Sequence, residues 1–99
     1  MFCVKVHKSV GEVMVAGCDR EILGSVLSDG EFQVKVSERF YGGEVVDWEK
    51  LMEHIEDATI VNLMGDRIVG LAVSEGIVDE NCVKNVCGVK HAQMITLQE

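Results

Sequence analysis

Ala58-Thr59-Ile60-Val61-Asn62-Leu63-Met64, standing before Gly65-Asp66, can be read in two ways that build different proteins. The run is apolar and partly β-branched, which suits a buried strand, with a helix then running from about Asp66 to Glu75 and stopping at Gly76. Ile60, Leu63, Met64, Ile68, Leu71 and Ala72 also recur at the spacing of one long helix. Gly65 and Gly70 would each cost that helix about 1 kcal/mol, so strand-then-helix is the preferred reading.

Working outward from this run, the period of two recurs at both ends of the chain. Phe2, Val4 and Val6 alternate with Cys3, Lys5 and His7, and Glu12 to Ala16 resumes the alternation after a turn at Ser9 to Gly11, predicting a β-hairpin. In the connection from Cys18 to Ser28, Asp19 is placed to cap a short helical turn carrying Ile22 and Leu23. Asp29-Gly30 marks a turn. Phe32, Val34 and Val36 then alternate with polar neighbours as in a half-solvated antiparallel strand. Phe40-Tyr41-Gly42-Gly43 closes it, the two glycines being free to take positive φ in a sharp loop. Asp47 caps a helix over 48–57, with Val46 and Leu51 at staple spacing and an apolar stripe of Trp48, Leu51, Met52 and Ile55. Asp79 to Asn81 reads as a cap and turn, and Val89 to Leu97 as the last strand.

The fold class is therefore α+β: one domain over 1–99, a mostly antiparallel sheet of about five strands, and two main helices packed on one face. A chain of 99 residues, 47% apolar and 26% charged, has ordinary globular composition. Such a chain buries roughly 60 to 70% of its unfolded surface.

Neither a signal peptide nor an apolar run of membrane-spanning length is legible, so the expected location is cytoplasmic, with no membrane partner. Cys3, Cys18, Cys82 and Cys87 are accordingly expected as free thiols. The net charge of −8 is concentrated in residues 43 to 80, which carry ten acidic and two basic side chains. Lys5, Lys8, Lys35, Arg39, Lys84 and Lys90 would make a weakly basic face if they converge, so direct nucleic-acid binding is expected to be weak at most.

Phe40-Tyr41-Gly42-Gly43, Asn62-Leu63-Met64-Gly65-Asp66 and Gly88-Val89-Lys90-His91-Ala92-Gln93 occur in a distinctive order and spacing, after an opening Val4-Lys5-Val6-His7-Lys8-Ser9 and Glu21-Ile22-Leu23-Gly24. Over nearly its whole length the chain resembles the archaeal proteins grouped as domain of unknown function 424. The resemblance implies a small archaeal cytoplasmic protein, an accessory of information processing, translation included, and supplies no activity to transfer. In that pattern a proline often precedes the histidine of the last motif, where this chain has Lys90.

Each candidate chemistry has a plainer counterpart. Cys82, Cys87 and His91 stand as C-x4-C-x3-H, but a structural zinc site needs a fourth ligand, from Cys3, Cys18 or His7, and usually two close-spaced pairs. Neither a metal nor a cofactor is therefore expected. Cys18 beside Asp19, and Cys82 after Asp79 and Glu80, lack the positive surroundings that activate a thiolate. Glu49, Glu53, Glu56 and Asp57, with His54, lie opposite the apolar stripe of their helix and read as a solvated face. Asn62 to Asp66 offers one glycine where a phosphate loop needs several, and Asp66 would repel an anion.

The local rules break at Asn62, His91 and Gln93. On the last strand His91 and Gln93 share a face with Val89, Ile95 and Leu97, and Asn62 lies between Ile60 and Met64. Polar groups on a face that favours burial are either satisfied internally or open onto a site. The candidate binding residues are therefore Asn62, His91 and Gln93, with Tyr41 at the edge, and no residue is assigned a catalytic role. The expected function is a noncatalytic binding or accessory module acting on an unknown protein or ribonucleoprotein partner; the alternative is a small enzyme using His91 as general acid/base. No feature of the sequence sets an oligomeric state.

Overall fold

The computed structural model describes residues 1–96. Its elements are β1 (Phe2–Ser9), β2 (Glu12–Asp19), β3 (Val26–Asp29), β4 (Phe32–Lys35), α1 (Glu38–Tyr41), β5 (Glu44–Val46), α2 (Trp48–Glu56), β6 (Ile60–Met64), α3 (Asp66–Ser74), β7 (Lys84–Val86) and β8 (Val89–Ile95). Short 3-10 turns occupy Arg20–Ile22 and Glu80–Cys82.

The run at residues 58–64 contains a central strand. β6 pairs parallel to β2 and antiparallel to β8, in a six-stranded sheet ordered β5-β1-β2-β6-β8-β7. Gly65 explains why the single long helix does not form. Its φ of +133° lies outside the helical region, so the chain breaks there and restarts as α3. The remaining pairings of the sheet are antiparallel, so the α+β class and the mostly antiparallel character hold, with one strand more than expected.

β4 departs from the expectation. It does not join the main sheet but pairs with β3 in a separate two-stranded hairpin. The alternation of Phe32, Val34 and Val36 reflects that hairpin lying on the sheet, with Val36 buried at one end and Phe32 64% exposed at the other.

The sheet is covered on both faces. On one, Val4, Val15, Val61 and Leu63 pack against Leu51 and Ile55 of α2 and Ile68, Val69 and Ala72 of α3. Burying a side chain of this size stabilises by roughly 1.5–3 kcal/mol. Gly17 lies beneath this layer, where a Cβ would come within 3.0 Å of Ile68 Cδ1. On the other face Cys3, Ala16, Cys18 and Met64 are covered by Val36 and Tyr41, with Ile22, Leu23, Leu27 and Phe40 around them. Cys3 and Cys18 are thus small buried hydrophobes, and all four cysteines are free thiols.

Caps set the helix starts. Asp47 accepts from Lys50 N at 2.9 Å, as its spacing predicted. Asp19 does not cap the turn that follows it: its buried carboxylate accepts from Arg67 N and Ile68 N at 2.9 and 2.8 Å, capping α3 across 48 residues of chain. Gly42 and Gly43 likewise differ from expectation, since neither is among the residues with positive φ. They are glycines for closeness, a Cβ at Gly42 falling 2.5 Å from Glu38 O and one at Gly43 falling 2.6 Å from Val4 O. The last strand is described to Ile95; Leu97, read as its end, lies outside the described residues. Among the described residues no helix is long and apolar enough to cross a membrane.

Candidate functional site

Asn62 occupies the middle of β6, across from Ala16 of β2 and Gln93 of β8, while His91 stands across from Met64. By the alternation of strands, Asn62, Met64, His91 and Gln93 project from the sheet face opposite α2 and α3. Tyr41 reaches this face from α1, which is capped by Ser37, whose side chain accepts from Phe40 N. His7 holds α1 down: its ring stacks on Phe40 at 5.1 Å and its Nε2 donates to Phe40 O at 2.8 Å.

Three of the four predicted residues meet. Tyr41 Oη donates to Asn62 Oδ1 at 2.6 Å, and His91 Nε2 lies 3.2 Å from the same oxygen. A carbonyl oxygen only accepts, so His91 carries its proton on Nε2 and Nδ1 is the ring's acceptor. Gln93 is exposed beside Asn62 and stands outside this chain of hydrogen bonds as described.

Tyr41 and His91 line a cleft of about 170 Å³ between the sheet and the β3–β4 hairpin, walled by Val34, Val36, Met64 and Val86 with Lys35 at its side. Burial, with a smaller contribution from Cys18, pushes the Tyr41 hydroxyl up to about 12, so it remains a donor at any ordinary pH. Burial and then the charge of Lys84 hold His91 below the ordinary histidine value, favouring the neutral ring. Tyr41 itself is 8% exposed and packs edge-on to Phe40, which closes its ring to base stacking.

The basic residues divide between the two faces. Lys35 lines the cleft and Lys84 stands across from His91, and Lys5 shares their face by register with Ala16. Lys8 and Lys90 line grooves on the helix side instead, and Lys5 borders the same groove as Lys8 rather than the cleft. Lys90 also shows what replaces the family's proline: its N–H donates to Asp66 Oδ1 at 2.9 Å, a bond a proline would lack, and its carbonyl accepts from Gly65 N.

Other candidate chemistries disperse. Cys82 lies exposed in its 3-10 turn and Cys87 in the β7–β8 turn at φ +51°; among the described residues no three His, Cys, Asp or Glu side chains gather as a metal site. Burial, reinforced by Cys3 and Asp19, pushes the Cys18 thiol up to about 12, opposite to an activated nucleophile. The α3 N-terminus already holds the Asp19 carboxylate where a phosphate would bind. His54 does more than decorate its helix, since its Nε2 lies 2.8 Å from Glu44 Oε1 and ties α2 to β5.

These features define a small α+β domain with two helices on one sheet face and, on the other, a hairpin-roofed cleft of side-chain size. The chain belongs to the family described as Protein of unknown function (DUF424), which matches residues 7–97. A crystal structure of an uncharacterized conserved protein from Methanopyrus kandleri has the same fold, with a TM-score of 0.80 and 27% identity over 99% of this chain and 94% of that one. No curated protein matches the chain.

Proposed function

We propose that the chain is a noncatalytic binding module that engages a protein or ribonucleoprotein partner through the cleft between Tyr41 and His91, the resemblance pointing to information processing, translation included, as its setting. The observation that carries this reading is the cleft itself: polar groups fixed by Asn62 at the base of a concavity of about 170 Å³. That is smaller than the roughly 300–1,000 Å³ of small-molecule sites and suits a single side chain. Val36, Val34 and Phe32 form a stripe that passes from buried to exposed, so the apolar wall continues onto the surface as a partner-facing patch would.

One observation favours the second reading, a small enzyme using His91 as general acid/base. Asn62 fixes the proton on Nε2 and the ring is biased neutral, which leaves the Nδ1 lone pair free to accept a proton. Against it, the ring is oriented by an amide rather than a carboxylate, and the nearby Cys18 thiol is not activated.

The test is affinity purification from the native host with the wild-type chain and His91→Ala, each with and without nuclease. The expected result is a partner retained by the wild type after nuclease and lost by His91→Ala, whose circular dichroism spectrum shows it folded at the temperature of the experiment. A partner retained equally by both chains overturns the reading.

A further inference from the structure

The cleft is cationic in an acidic protein. Its lining contributes Lys35 and His91 and no carboxylate, although the chain carries 17 acidic against 9 basic side chains. Lys84 stands directly across from His91 in the β7–β8 ladder, close enough for its charge to oppose protonation of the ring. The groups facing His91 are thus Lys84 from β7, Lys35 from β4, Tyr41 from α1 and the neutral Asn62 from β6. The acidic residues of α2, by contrast, belong to the layer on the opposite face of the sheet.

We propose that the cleft receives an acidic side chain of a partner protein, its methylene stem against Val34, Val36 and Val86 and its carboxylate between Lys35, Lys84 and a doubly protonated His91. This rests on the cleft being the interaction site, and names what enters it. Charge complementarity selects an anion, because Lys35 and His91 line the cleft, Lys84 stands across from His91, and no carboxylate of the chain's own lines it. The walls select a side chain over a phosphodiester. A phosphate needs donors around it, and four lining residues, Val34, Val36, Met64 and Val86, are apolar. A net charge of −8 also repels a nucleic-acid backbone over most approaches. An arriving carboxylate stabilises the imidazolium, so binding takes up a proton at His91, with Nε2–H still donating to Asn62 and Nδ1–H turned to the ligand.

The test is a nuclear magnetic resonance titration of the full chain near pH 6.5, following the His91 ring with His7 and His54 as references. The probes are the blocked peptide acetyl-Gly-Glu-Gly-amide, its glutamine counterpart, and inorganic phosphate, at millimolar concentrations. The glutamate peptide should shift His91 saturably and raise its pKa, and the glutamine peptide should do neither. Replacing both exposed lysines, Lys35→Gln with Lys84→Gln, should weaken the glutamate peptide roughly three- to tenfold, while unchanged core resonances show the fold intact. No shift with the glutamate peptide, an equal shift with glutamine, or a stronger response to phosphate overturns the assignment. The two readings fail separately. A partner lost by His91→Ala without any response to the glutamate peptide leaves the binding module standing and removes the acidic side chain. Binding of the peptide with no partner lost by His91→Ala does the reverse.

Discussion

Tyr41 and Asn62, 21 residues apart in the chain, meet through a hydrogen bond of 2.6 Å from the phenol to the amide oxygen, and that oxygen also orients His91. Asn62 is therefore the link between α1, which supplies Tyr41 to the cleft, and the sheet strands that floor it. Removing the donor alone, Tyr41→Phe, should cost about 0.5–1.5 kcal/mol. Removing the shared acceptor, Asn62→Ala, should cost more, about 1–3 kcal/mol, because it strands a buried hydroxyl and frees the imidazole. Urea denaturation of both variants checks the order, and equal costs would mean the bond to His91 is not made in solution.

The position of His91 predicts a pH dependence with a definite sign. Burial, and secondarily Lys84, make the folded chain a poorer proton acceptor at this ring than the unfolded chain. The stability His91 contributes is fully present above its unfolded value of about 6.5. It is lost as pH falls from there through the lower folded value, because the unfolded state takes the proton first. In urea titrations, the gap between wild type and His91→Gln should shrink below about pH 6.5 and stay level above it. Lys84→Gln should raise the His91 pKa, and a lowered one would contradict this electrostatic account.

What the sequence made legible follows from which interactions are local. The β1–β2 hairpin, the Asp47 cap and the α2 stripe rest on residues a few positions apart, where the period and the cap are written directly in the chain. Asn62 and His91 were readable as exceptions within their strands, since a polar residue breaks a period wherever its partner lies. The partners of His7 and Asp19 were not readable. Phe40 O is 33 residues from His7, and Arg67 N is 48 from Asp19, so only tertiary placement joins them. The strand at Phe32–Val36 was placed in the main sheet, and its partner β3 was read as part of a connection, for a related reason: alternation says that one face of β4 is covered and does not say by what.

Gly70 lies within α3, where glycine costs about 1 kcal/mol relative to alanine. A Cβ added there meets nothing within 4 Å, so the chain's own packing does not require glycine. Gly70→Ala should stabilise by about 0.8–1 kcal/mol. That corresponds to a melting temperature roughly 4–8 °C higher for a domain of this size, measured by circular dichroism. A lower melting temperature would show that the groove beside Val69, Val73 and Val83 closes more tightly in solution than its open volume of about 350 Å³.

Asp19 and Gly65 should prove coupled. The carboxylate of Asp19 is 3% exposed and satisfies the N–H groups of Arg67 and Ile68 at the positive end of α3. Asp19→Ala leaves those donors without their acceptor and removes the charge, and should cost about 1–3 kcal/mol. Gly65 permits that carboxylate to approach, since a Cβ there would lie 2.5 Å from Asp19 Cγ and Oδ2, and its φ of +133° is strained for any side chain. Gly65→Ala therefore carries two costs, a backbone cost on the order of 1–3 kcal/mol and a clash relieved only if the carboxylate withdraws. In the double variant the carboxylate is gone and only the Cβ of residue 19, 2.9 Å from the new one, still crowds it, so most of the clash is relieved and the backbone cost remains. The summed cost of the single variants should exceed that of the double by about 0.5–3 kcal/mol in a urea-denaturation cycle. Strict additivity would mean that Asp19 does not sit against Gly65, and that α3 finds its cap elsewhere.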